Sequence, residues 1–335
     1  MQFTLFIGVD VSKETLDIAI RNESGLVTTE IIANRTKNIN QFLKSVLQKY
    51  NLRKEDMLIC LEHTGIYSLL LLSCASDLGY ATWVEDAVQI KQVLKVNRGK
   101  NDKLDAKQIA EYSYRFKDRA VLCKPERTQV RILRKLVGQR RRLLCIRKML
   151  TQPINEDKKF EDKVITQLQA KLNNPLLKQV EKSFKTVEEK IKLTIEGDPE
   201  LKRLFALVIS VDGIGPVVAS HMLVHTNEFT RFKEAKKLAC HAGVVPFERQ
   251  SGTSVRGKSG VSHRANKTLK CVFHMAAVSA INRKGEIQDY YLRKLAEGKN
   301  KMSVLNAIRN KLILRIFACV RDNRPYEKIY QRTIV

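Results

Sequence analysis

The stretch IGVDVSKETLDIAI, residues 7–20, constrains the fold more than any other part of the chain. Phe3, Leu5, Ile7 and Val9 alternate as one strand, and Leu16, Ile18 and Ile20 alternate as a second. Asp10 interrupts the first of these apolar runs. A carboxylate in a buried strand is costly unless positive charge stands beside it, and a bound metal ion is one source of that charge.

A third strand-like run, 26–33, follows the turn residues 22–25, and a helix over 38–50 carries Ile39, Phe42, Leu43, Val46 and Leu47 on one face. MLICLEHTG then reads as an apolar strand ending at Glu62, and a leucine-rich helix over 66–78 stops at Gly79. YATWVE is a fifth strand, a short helix runs over 88–96 into NRGKN, and another helix opens at Asp102. Three consecutive strands followed by alternating helix and strand is the order of a ribonuclease-H-like sheet. In such a sheet the first and fourth strands are neighbours and a following helix packs across them. Asp10, Glu62, Asp102 and Asp105 would then converge, the last two sharing one helix face. Singly, Asp102 and Asp105 read more readily as first-turn acids behind an Asn101 cap than as metal ligands, and Glu62 could pair with a lysine. Together the four would repel one another without a cation, and two Mg²⁺ ions about 4 Å apart would make them a phosphoryl-transfer site.

Lys and Arg total 61 against 35 acids, a net charge of +26 that favours polyanionic partners. No apolar run approaches the roughly 20 residues that cross a bilayer, and the first strand begins without a basic leader. The expectation is a cytoplasmic protein that binds nucleic acid and no membrane. The seven cysteines are scattered without a C-x-x-C pair, which argues against a zinc finger or a disulfide scaffold.

The chain divides by pattern into 1–120, an arm over 121–200 and a mostly helical region over 201–335. RILRKLVGQRRRLLCIRK is apolar on one face (Ile132, Leu133, Leu136, Val137, Leu143, Leu144) and basic elsewhere, which makes Arg140, Arg141 and Arg142 candidate phosphate contacts. Pro153 is expected to interrupt this helix. Further on, Leu177, Val180, Phe184, Val187 and Ile191 step by 3, 4, 3, 4, which suits a coiled coil or a plain helical hairpin. VDGIGPVVAS places Gly213 and Gly215 in a tight turn of helix-hairpin-helix shape, whose N–H groups hold a phosphate or merely close the turn. AGVVPFERQSGTSVRGKSGVSHRANKTLK, residues 242–270, reads as loop-rich and basic.

IGVDVSKETLDIAI, CLEHTGIY and NDKLDAKQIAEY resemble the Asp-Glu-Asp-Asp motifs of the DEDD transposases. These are recombinases of the insertion-sequence-110 family, relatives of the Piv-type DNA invertases. VDGIGPVVAS and the 242–270 run resemble that family's C-terminal transposase domain, so the likeness covers about 3–115 and 200–285 with the motifs in order. The arm has no residue-level motif to match.

The resemblance implies a RuvC-like first domain whose Asp10, Glu62, Asp102 and Asp105 hold two Mg²⁺, or Mn²⁺, ions. It implies Ser251, the serine before a glycine in PFERQSGTS, as a nucleophile on DNA, where the residues alone do not choose among Ser251, Ser254, Ser259 and Ser262. A serine hydroxyl needs activation, and Arg249, Arg256, Lys258 and Arg264 surround it in sequence to neutralise a scissile phosphate. Also implied are a transient serine–DNA link, a composite site with acids and serine from different subunits, and dimers or tetramers formed through the arm. A guide RNA from the element's own end would select donor and target DNA.

A RuvC-like junction resolvase is the alternative, sharing the acids but having no use for the region after 200. A non-catalytic binder would not need Asp10. None of the six histidines has an Arg three residues on, as a tyrosine recombinase requires, and Ser12 stands beside Asp10 and Lys13 rather than among arginines.

Overall fold

The computed structural model describes residues 3–62, 65–94, 102–123, 126–251, 255–261 and 265–327, with the backbone alone at 91–94, 102–103, 157, 247–251 and 255–259. The chain forms two compact units, Met1–Pro125 and Glu126–Val335.

In the first unit β1 (Leu5–Val11), β2 (Thr15–Asn22) and β3 (Gly25–Ala33) form an antiparallel meander. Helix α1 (Thr36–Tyr50) leads to β4 (Met57–Glu62), and α2 (Leu69–Asp77) leads to β5 (Ala81–Glu85). Then come α3 (Ala87–Leu94) and α4 (Asp102–Arg115). The strand order is β3-β2-β1-β4-β5, with β4 parallel to both β1 and β5. This is the ribonuclease-H-like order that the sequence predicts.

Both faces of the sheet are covered, so β1 is apolar on both sides. Leu5, Ile7 and Val9 pack with Phe42 and Leu43 of α1 and Leu71 of α2, while Phe6, Leu58, Cys60 and Trp83 pack with Ile109 and Tyr112 of α4. Gly8 lets α4 come close, because a Cβ there would stand 2.2 Å from the Ala110 nitrogen and 2.4 Å from the Ala106 oxygen. The helix runs antiparallel to β1. Glu111 near its C-terminus is held by Arg21 of β2 at 2.6 Å, and its first turns lie over the end of β1 that carries Asp10.

The second unit opens with a hairpin of long helices, α5 (Thr128–Phe160) and α6 (Lys163–Glu196). Contrary to the sequence expectation, α5 runs through Pro153 unbroken. Proline removes one helical hydrogen bond, and Asn173 of α6 donates to the Leu150 carbonyl at 3.2 Å close to that gap. The 3, 4, 3, 4 face of α6 packs on α5, with Val187 and Ile191 buried beside Leu133, Val137 and Leu143. Ile132, expected on that face, is exposed instead.

Asp198 caps α7 (Pro199–Ile209) by accepting from the Leu201 N–H at 2.9 Å, and Arg127 grips the same carboxylate through both Nη atoms at 2.8 and 2.9 Å. There follow α8 (Pro216–Thr226), α9 (Ala235–His241), an antiparallel hairpin β6 (Phe247–Ser251) and β7 (Val255–Gly260), α10 (Lys267–Ile281), α11 (Glu286–Ala296) and α12 (Lys301–Arg321). The hairpin replaces part of the expected loop. Phe273, Ile308, Leu312 and Met222 centre the core of this unit.

Candidate nuclease site

The first unit gathers acids at one end of its sheet. The β1–β4 ladder pairs Val9 with Leu61, so the next position sets Asp10 beside Glu62. Asp10 is also paired across β1–β2 with Asp17, and Glu62 is paired across β4–β5 with Glu85. Alternation along the strands places this row on the α4 face, the face of Phe6, Cys60 and Trp83. Asp105 stands in the first turn of α4 and Asp102 is its first residue. Asp10, Glu62 and Asp105 are half-buried.

The row makes a negative field that its neighbours register. Burial pushes the Cys60 thiol pKa up, and Glu85 and Glu62 push it further. The Tyr112 hydroxyl donates to Glu85 Oε2 at 3.2 Å, and its pKa is raised to about 12 by burial and then by that carboxylate. Glu85 Oε1 accepts from the Asp86 N–H at 2.9 Å. Among the described residues no three Asp, Glu, His or Cys groups are already gathered as a metal cage. The donor set is all carboxylate oxygen, which fits a hard divalent cation such as Mg²⁺ or Mn²⁺ and suits softer metals poorly.

The sequence pattern alone does not set Asp17 and Glu85 apart, yet both carry a signal. Asp17 mirrors Asp10 across the Ser12–Thr15 turn, and YATWVE ends in Glu as MLICLE does. Parallel strands bring their C-terminal residues to the same edge.

The second unit holds the other candidates. Ser251 is the last residue of β6, its backbone paired with Val255. Arg249 lies in β6, and Arg256 and Lys258 lie in β7. Arg264 lies outside the described residues. Gly213 has φ +88, and a Cβ there would meet the Ala280 Cβ at 2.5 Å. It is buried against α10, so packing and turn geometry account for it; Gly215 is the half-buried N-cap of α8. Arg140 is spent within the arm, bonded to Glu188 at 2.9 Å and stacked over Phe184 at 4.8 Å. Arg141 reaches Thr268 at 2.8 Å and Arg142 reaches Gln139 at 2.7 Å, both remaining exposed.

The first unit is thus a ribonuclease-H-like sheet edged with acids, and the second is a helical unit that carries the β6–β7 hairpin. A model of DEDD transposases of the IS110 type, described as "Transposase", matches residues 7–156, and one described as "Transposase IS116/IS110/IS902 family" matches 205–292. The chain belongs to the IS110 family of transposases. Members of this family and its DNA-inverting relatives cleave and transfer DNA strands.

Among relatives, the "Pilin gene-inverting protein" of Moraxella lacunata is 27% identical over 330 residues, which are 96% of this chain and 98% of that protein. An IS116 protein of Streptomyces clavuligerus is 30% identical over 146 residues, 42% of this chain and 36% of that one. A solved structure of RuvC from Thermus thermophilus, in complex with a Holliday junction substrate, aligns with 36% of this chain and 99% of its own at 15% identity and a TM-score of 0.29.

Proposed function

We propose that this chain cleaves and rejoins the DNA strands of an insertion element, using metal-bound acids and a serine nucleophile. The observation that carries the reading is the placement of Asp10 beside Glu62 on adjacent parallel strands, under the helix that opens with Asp102 and Asp105. Those four residues hold the divalent ions, two Mg²⁺ in this reading. When bound, the ions neutralise a phosphodiester and stabilise the charge that develops on its oxygens.

Ser251 Oγ attacks the phosphorus, loses its proton and displaces a DNA hydroxyl. Attack by a hydroxyl of the partner strand then releases the serine, so the number of phosphoester bonds is unchanged and no energy-rich cofactor is consumed. Arg249, Arg256, Lys258 and Arg264 neutralise the phosphate. The exposed Arg141 and Arg142 follow nucleic-acid backbone, with Arg140 bracing the arm.

Self-association through the arm is supported by its far end, where Val164 is 77% exposed, Leu168 59% and Leu172 63%; an apolar stripe of this kind suits a second copy of the chain. A guide RNA is the further partner, drawn by the same positive charge. The work is done in the cytoplasm on nucleoid DNA, and among the described residues no helix is long and apolar enough to cross a membrane.

The test is a suicide DNA substrate carrying an element junction, incubated with Mg²⁺ and the element's RNA. A covalent adduct on Ser251, mapped by peptide mass spectrometry and absent from Asp10→Ala, is the expected result. Cleaved DNA without an adduct would assign a metal-only nuclease of the resolvase type.

A further inference from the structure

Among the described residues, the reaction proposed above leaves one buried cation unused. Arg309 of α12 is 5% exposed and lies in the core of the second unit. Its Nη2 bonds to His274 Nδ1 at 2.6 Å, and its Nη1 reaches Asn306 Oδ1 at 3.4 Å. Its Nε has no partner. Among the described residues no carboxylate pairs with it, although Arg127, Arg134, Arg140, Arg203 and Arg315 each hold a glutamate or an aspartate. A buried guanidinium that rests on neutral acceptors bears a large desolvation cost. An anion brought by another molecule would offset that cost.

The surroundings say what kind of anion fits. His274 of α10 is half-buried and stands on the side of the helix where Cys271 and Met275 are exposed. Because its Nδ1 accepts from Arg309, its proton is on Nε2, which is left as a donor. Lys267 and Lys270 precede it at seven and four residues, so three N–H donors share one face of α10. Asn306 also donates to the Val244 carbonyl at 2.5 Å, three residues before β6, so the same turn of α12 anchors the root of the Ser251 hairpin.

We propose that His274, backed by Arg309, is a phosphodiester subsite that seats a nucleic-acid backbone beside the root of the β6–β7 hairpin. The imidazole gives the hydrogen bond and the guanidinium behind it gives the charge. This rests on the nucleic-acid reading above, and the chemistry is the same for a DNA or an RNA phosphate.

The test measures full-length protein with labelled junction DNA and, separately, labelled single-stranded RNA, across a salt series. Thermal melting is recorded in parallel. Arg309→Met removes the unpaired buried charge with little change in bulk, so the melting temperature is expected to stay level or rise. Affinity is expected to fall about tenfold, and the slope of log affinity against log salt to fall by about one phosphate's worth. His274→Ala, a change at a half-buried site, is expected to reproduce the loss of affinity. Loss on DNA alone or on RNA alone identifies which backbone occupies the subsite. Variants that bind like the wild type, whether or not they melt lower, would make the pair purely structural and overturn the proposal. A wild-type protein that binds neither nucleic acid would overturn the parent reading as well, so the two failures are distinct.

Discussion

Asp10 and Glu62 sit in a row of like charge, with Asp17 on one side and Glu85 on the other. Like charges in one row repel, and that repulsion is a cost to folding which the proposed metal-binding role would account for. Asp10→Asn and Glu62→Gln keep the shape of the side chain and remove that repulsion, so melting temperatures should hold or rise. Strand exchange should fall roughly 10³-fold, the consequence of losing several kcal/mol of metal-mediated stabilisation. Differential scanning fluorimetry beside a strand-transfer assay separates the two, and a variant that melts lower while staying active would contradict the assignment. The placement of Asp10 and Glu62 could be read from the sequence because one acid interrupts an apolar strand near its end and the other closes one. Asp17 and Glu85 needed the register, which depends on pairing between segments distant in sequence.

At the scale of elements, α4 is seated on β1 by the missing side chain of Gly8. Gly8→Ala would press a methyl group into the Ala106 and Ala110 backbone, which cannot yield as a side-chain tip would. A loss of about 3 kcal/mol is expected in urea unfolding, with Asp102 and Asp105 displaced and activity lost alongside. The first unit was legible because period-two strands and 3.6-period helices declare themselves locally. The second was less so. Arginine, glycine and serine hid the β6–β7 hairpin, the packing of α6 on α5 carried α5 past Pro153, and Gly213 proved to be a close approach to Ala280. Helix α8 adds a pH dependence. Burial, and then Arg140 and Arg141 of α5, lower the His221 pKa from 6.5 to about 4, and His225 one turn on is lowered to about 3. Between pH 6.5 and about 4 the unfolded chain takes the proton that folded His221 refuses, so stability falls with pH in that window. At pH 5 the cost of His221 is about 2 kcal/mol. Urea midpoints at pH 7 and pH 5 should differ less in His221→Gln than in the wild type.

For the whole molecule, charge sets two responses to salt that run in opposite directions. Many cations are internally paired, as Arg127 is to Asp198 and Glu228, and Arg315 and Lys311 are to Glu286. Pairing cannot remove the excess: were all 35 acids matched, 26 of the 61 basic residues would remain over. In the free protein these surplus charges repel one another, and added salt screens them, so moderate NaCl should raise the melting temperature. In the complex the same charges displace counterions from phosphates, so added salt weakens binding. If six or more phosphates are neutralised, affinity should fall by roughly 10³-fold or more between 50 and 200 mM salt. Melting curves and binding isotherms taken over one salt series should therefore show stability rising as affinity drops. A flat binding response would mean that the surplus charge faces something other than a polynucleotide backbone. A melting temperature that fell with salt would mean that the paired charges outweigh the unpaired ones in the folded state.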